Sequence, residues 1–253
     1  MVTRVSGDQY KLHYEVRCDI MGALWRIVGV NGSAQRVFGE ATGFSLLLTT
    51  LHTFQGEEEC RDESHLMVYI KLFKHLLRLI TTAVCENAIN RMKLHSVITS
   101  QTFYDLLVES GLLCVDLERH VIQLLLELAL EVLVPPFLTS ESMASAEMAE
   151  CEKASFLVKT ASGQFNPDKQ KIYNAGAVRV LIRSLLLCTP KLQLEFLNLL
   201  ERLARASPFN KETLTSAGKN FVLGFHLGSL LLAKLTLKIT PLLFILFFTL
   251  NEL

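Results

Sequence analysis

Apolar residues recur at three- and four-residue spacing along nearly the whole chain, and no segment alternates cleanly as a strand would. The pattern predicts a helix or helix pair from Tyr10 to Val30, closed near Asn31-Gly32. A short helix follows over Arg36 to Glu40, and Gly43 opens a longer one through Phe44, Leu47, Leu48 and Leu51. Gln55 to Ser64 is charged and reads as a solvated loop. Met67, Ile70, Leu72, Phe73, Leu76, Leu77 and Ile80 then describe a long helix with apolar sides wide enough to be buried twice. Helices over Asn90–Ile98, Thr102–Ser110 and Asp116–Val134 complete this half, with Pro135-Pro136 expected to stop the last.

Between Thr139 and Pro167 the pattern fades. Ser140 to Glu147 is small and acidic, with too little apolar surface to offset its ordering entropy, so 139–168 reads as a flexible acidic loop. Its serines beside glutamate are candidate phosphorylation sites or simply solvated. Beyond it, Ala175-Gly176 recurs as Ala217-Gly218, 42 residues on, with helix, turn, helix, turn and helix between. That period is the one of armadillo and HEAT units, which cannot bury their apolar faces alone. The fold class expected is therefore an all-α, armadillo/HEAT-like α-solenoid. Degenerate repeats occupy 1–138, an armadillo-type repeat 169–218 and a divergent hydrophobic tail 219–253. Gly43 and Gly111 echo Gly176 and Gly218, each between a short helix and a longer one, where positive φ or close approach would favour glycine.

Several blocks resemble armadillo repeats in detail. Gly176-Ala177-Val178 with Leu181-Ile182 and Leu185-Leu186 matches a second helix; Leu192-Gln193 and Leu203-Ala204 match a third; Asn210, Leu214 and Ala217-Gly218 begin another unit. Peptide-binding armadillo proteins carry a backbone-clamping asparagine two residues before the position of Ala204. Here Arg202 stands in that place, which argues against an import- or catenin-style groove. Gln35 to Leu51, Asn90 to His95, Gly111 to Asp116 and Tyr173 to Leu187 resemble the amino-terminal armadillo-like region of the very large BEACH-domain scaffolds. Within that group they resemble most the WD-repeat and FYVE-domain-containing branch and its immune-cell member, as a fragment or short splice form. The resemblance covers roughly Asp19 to Gly218. It implies a cytoplasmic scaffold at endosomal and autophagic membranes, tied in the immune member to antigen handling.

Composition narrows the chemistry. Lys+Arg and Asp+Glu are both 25 of 253 residues, so clustered charge for a nucleic-acid surface is not expected. Six scattered cysteines without a C-x-x-C pair read as thiols of a reducing compartment, consistent with an amino terminus lacking an apolar run. The sequon Asn31-Gly32-Ser33 therefore has no expected use. The seven histidines make no H-x-x-x-H pair, and no P-loop, G-x-S-x-G or G-x-G-x-x-G is present, so no catalytic residue, metal or cofactor is expected. His75 and His95 read as structural, Glu57–Glu59 as loop solvation, and Trp25 as core on a stripe with Ile20, Leu24, Ile27 and Val28. Arg179, Arg183, Arg202 and Arg205 are the candidate partner-binding face, for an acidic protein; the alternative is ordinary solvated helix surface. Flanking repeats of the full-length scaffold are the other expected partners.

After Lys219 the resemblance ends. Leu235–Leu253 holds twelve strongly apolar residues, worth about −4 to −7 kcal/mol of insertion. Pro241, Asn251, Glu252 and Lys238 offset part of it, so 235–253 reads as a tail anchor in a membrane, as a helix packed on the end of the solenoid or as a poorly soluble splice tail.

Overall fold

The computed structural model describes residues 7–52, 63–133 and 166–218. Its helices are α1 Gly7–Val28, α2 Gly32–Glu40, α3 Gly43–His52, α4 Glu63–Val84, α5 Ala88–Val97, α6 Ser100–Glu109 and α7 Glu118–Leu130. A 3-10 turn at Pro167–Lys169 precedes α8 Ala175–Leu185, α9 Pro190–Ala206 and α10, residues 208–218. Among the described residues there is no β-strand, as the 3.6-residue periodicity predicts.

Side-chain pairings give the topology. Tyr14 of α1 meets Tyr69 of α4 at 3.1 Å, and Trp25 Nε1 donates to Thr82 Oγ1 at 2.9 Å. Both partners advance together along the two helices, so α1 and α4 run parallel. Arg78 with Glu127, then Cys85 with Glu131, order α4 and α7 the same way. Glu118 with Thr189, then Arg119 with Glu195, order α7 and α9. Gln35 with Asn90 and Gly39 with Lys93 show α2 parallel to α5. The result is a translated series of three-helix units: α2–α3–α4, α5–α6–α7, and the 3-10 turn with α8 and α9. α1 occupies the place of a third helix ahead of them, and α10 that of a first helix after them.

One polar device repeats with the translation. Asn90, the third residue of α5, donates through Nδ2 to Ala83 O at the end of α4 and to Gln35 O of the preceding first helix, at 2.9 and 2.8 Å. Asn210 on α10 donates to Leu203 O and Gln170 O, both at 2.8 Å, and accepts from Ile172 N. Each reaches seven residues back to a carbonyl left over at a helix end, which burial makes costly to leave unpaired. Asn90→Ala and Asn210→Ala should each destabilise the chain by about 2–3 kcal/mol in urea titration. Replacing the exposed neighbours Met92 or Glu212 with alanine should cost under about 0.5 kcal/mol.

Several sequence expectations are refined. α2 starts at Gly32, because Asn31 Oδ1 accepts Ala34 N and caps it, so the sequon asparagine is spent on the helix start. α7 ends at Leu130, ahead of Pro135-Pro136, which lie outside the described residues. Glu131 instead turns the chain at φ 52°, held by Arg91 at 2.6 and 2.7 Å and by Glu86 N. Of the four echoing glycines, only Gly111 has positive φ, at 68°. Gly43 and Gly176 serve close approach, a Cβ at Gly176 falling 2.2 Å from His95 Cε1, whereas Gly218 has open space around it. The stripe drawn around Trp25 divides: Trp25 and Val28 face α4, while Ile20 and Ile27 are more than half exposed. The loop 139–165, most of 55–64 and the tail 219–253 lie outside the described residues.

Candidate functional site

The four arginines of the expected interaction face sit on the last unit. Arg179 is exposed on α8. Arg183, one turn on, lies over the Tyr104 ring of α6 with its guanidinium carbon 3.8 Å from the centroid, and donates to Gln101. Arg202 Nη2 meets Asp168 Oδ2 at 2.7 Å and also reaches Asn166 Oδ1; Arg205 pairs with Glu201 one turn earlier. The structure thus ties Arg183 to the second-helix row, Arg202 to the turn that opens the unit, and Arg205 to its own helix. Arg202 holds the Asp168 carboxyl below its ordinary range. Where a clamping asparagine would reach for a peptide backbone, this side chain already has a carboxylate.

The junction behind that face is more tightly built. Asn174 caps α8 by accepting Ala177 N at 3.0 Å, and the same oxygen lies 2.8 Å from His95 Nε2 of α5. Tyr173 and Asn174 N–H groups both donate to Ala129 O, completing the end of α7. Ser100 donates to Gly176 O, so α6 also touches the start of α8. Glu118 of α7 accepts from the N–H and hydroxyl of Thr189, the residue that begins α9. A carboxylate there complements the positive end of the helix. A cavity of about 10 Å³ remains between Ile80, Leu94, His95, Phe103 and Val180, room for about one water.

Burial holds His95 below its ordinary value, with Arg179 and Arg91 adding repulsion and the Asn174 bond opposing. A depressed histidine means the unfolded chain takes up the proton first. Stability should then be fully present above about 6.5 and fall as pH drops below it. Thermal unfolding followed from pH 7.5 to 5.5 should show this loss, and His95→Gln should flatten it.

Elsewhere the ionisable groups are committed to structure. Arg78 and Glu127 form an ion pair between α4 and α7 with side chains 3% and 0% exposed. Burial raises Glu131, partly offset by the hydrogen-bonded Arg91. The thiols of Cys18 and Cys188 are pushed up to about 11 and about 12 by burial, which keeps them protonated and unreactive at neutral pH. Among the described residues, no group of His, Cys, Asp and Glu converges as metal ligands, and no helix is long and apolar enough to cross a membrane. Sequence reasoning singled out Arg202, and the structure pairs it with Asp168. It missed Asn90, Asn174 and Glu118, whose only local signal is a polar residue beside a helix start.

The translated units, the close approach at Gly176 and the paired Asn90 and Asn210 contacts define an armadillo-type stack, and the chain belongs to the armadillo-like repeats family, which matches residues 3–220. It is similar to Protein SPIRRIG of Arabidopsis thaliana, a BEACH-domain protein, with 78% identity over 218 residues. That match covers 86% of this chain and 6% of the relative, so the chain spans a small part of the relative's length. No solved structure matches the chain. The match to this plant protein overturns the narrower assignment to the WD-repeat and FYVE-domain-containing branch and its immune-cell member. The blocks behind that assignment are ones that build the stack: Phe38 packs edge-on against Phe44, Asn90 joins two units, and Gly176 admits His95. Residues chosen by packing report the fold and discriminate poorly between scaffolds that share it.

Proposed function

We propose that this chain is a non-catalytic scaffold segment of a BEACH-type membrane-trafficking protein, acting by protein–protein contact. The observation that carries this reading is the stack itself. Among the described residues its buried charged groups join one helix to another, Arg78 to Glu127 and Glu118 to Thr189, and the cavity between the units is small. Armadillo-like units generally serve such contacts. The exposed arginine face around Arg179 and Arg202 fits an acidic protein segment. For Arg202 such a segment must displace Asp168. The proposed location is cytoplasmic, at the surface of endosomal and autophagic membranes.

The test is proximity labelling of the full-length scaffold with and without this segment. Loss of a defined subset of neighbours at unchanged protein abundance is expected; an unchanged set contradicts the reading. A second reading, in which 235–253 anchors the segment in a bilayer, is favoured by the Leu- and Phe-rich sequence there. Alkaline carbonate extraction decides it: recovery in the membrane pellet supports the anchor, and recovery wholly in the soluble fraction removes it.

A further inference from the structure

The outer side of α1 is apolar where a helix surface ought to be polar. Val16, Ile20, Ala23 and Ile27 fall at i, i+4, i+7 and i+11, one continuous stripe. Val16, Ile20 and Ile27 are 50%, 52% and 59% exposed. The opposite side of the same helix, with Tyr14, Cys18, Met21, Trp25 and Val28, is buried against α4. α1 is thus two-sided in sequence and one-sided in contact.

Its position explains the mismatch. α4 stands one step further along the same parallel series and is covered on both sides, by α1 through Trp25 and by α7 through Glu127. A helix in the third-helix position is built to be enclosed between two others of its kind. We infer that the Val16–Ile27 stripe is a stacking surface for the third helix of another armadillo-like unit of the same scaffold, running parallel to α1. This rests on the scaffold reading above and adds the surface and its occupant. One rim also specifies charge: Glu15 and Asp19 are exposed beside the first half of the stripe and Arg26 beside the second, while on the other rim the half-exposed Arg17 lies over the Tyr14 ring. Along the rim of Glu15, Asp19 and Arg26 the covering helix therefore carries basic residues early and acidic ones late, so that each meets its opposite in a parallel arrangement.

The test reads side-chain accessibility at residue 20. Ile20→Cys is made in this full chain and in a chimera, where residues 1–218 replace the matched stretch of the Arabidopsis protein. Maleimide labelling at that position is followed by mass spectrometry. Arg36→Cys, at a side chain 70% exposed on α2, serves as reference. The expected result is labelling at residue 20 slowed about tenfold or more in the chimera, with residue 36 unchanged, because a covered thiol reacts only on local opening. Equal rates at residue 20 in both contexts overturn the inference. So does slowing in the isolated chain that grows with its concentration, which would make a second copy the occupant. The scaffold reading is judged separately, by the neighbour set, and survives either outcome.

Discussion

Gly176→Val should lower the melting temperature of the chain by about 6–12 °C, corresponding to about 3 kcal/mol of overpacking. Two effects oppose one another at this position. A side chain in a helix is favoured over glycine by up to about 1 kcal/mol, and α8 would gain some of that. Against it, even a Cβ would sit 2.2 Å from His95 Cε1 and 2.7 Å from Nδ1. The ring cannot retreat without losing its 2.8 Å contact to Asn174, which is the cap of the same helix. Sterics should win, so Gly176→Ala should also destabilise, reversing the order that helix propensity gives. His95→Ala should rescue much of the loss in a double-mutant cycle, since it removes the atoms that are struck. A stabilised Gly176→Ala variant would show that the two units do not approach as closely as described.

The second large effect is at the buried pair between α4 and α7. Arg78→Ala should cost about 3–5 kcal/mol in urea titration, because it takes the guanidinium away from a carboxyl group that is 0% exposed. Arg78 also lies over the Trp25 ring at 5.8 Å, so one side chain touches three successive helices of the row. Replacing both partners, Arg78→Met with Glu127→Leu, should return stability to within about 1 kcal/mol of the parent. The contrast between single and double changes separates the charge from the packing. If Arg78→Ala were tolerated as well as the double change, the pair would be solvated in solution.

How far the sequence could be read depends on where the information sits. Helix existence was legible because burial on one or two sides writes itself into every third or fourth residue, as in the stretch from Met67 to Ile80. The unit around Gly176 was legible because the tight approach to His95 excludes a side chain. The asparagines were not, since Asn90 and Asn210 act on carbonyls 55 and 40 residues away, beyond any local pattern. Nor was the end of α7, where Glu131 answers to Arg91 rather than to the prolines that follow. The arginine face was an expectation from the residues of the last repeat, spread over two helices. Its arginines have different neighbours, because Tyr104 and Asp168 come from separate elements.

The account stands on third helices that run in one direction, each displaced from the last by a unit. A short bis-maleimide cross-linker applied to paired cysteines at partly or fully exposed positions tests this. Arg119 of α7 bonds Glu195 near the start of α9, whereas Arg205 lies near its end, about 15 Å further along the helix. The Arg119→Cys/Glu195→Cys protein should be bridged within one molecule, and Arg119→Cys/Arg205→Cys should not. Bridging of the second pair in place of the first would mean that α7 and α9 run in opposite directions, and the translated stack would be wrong.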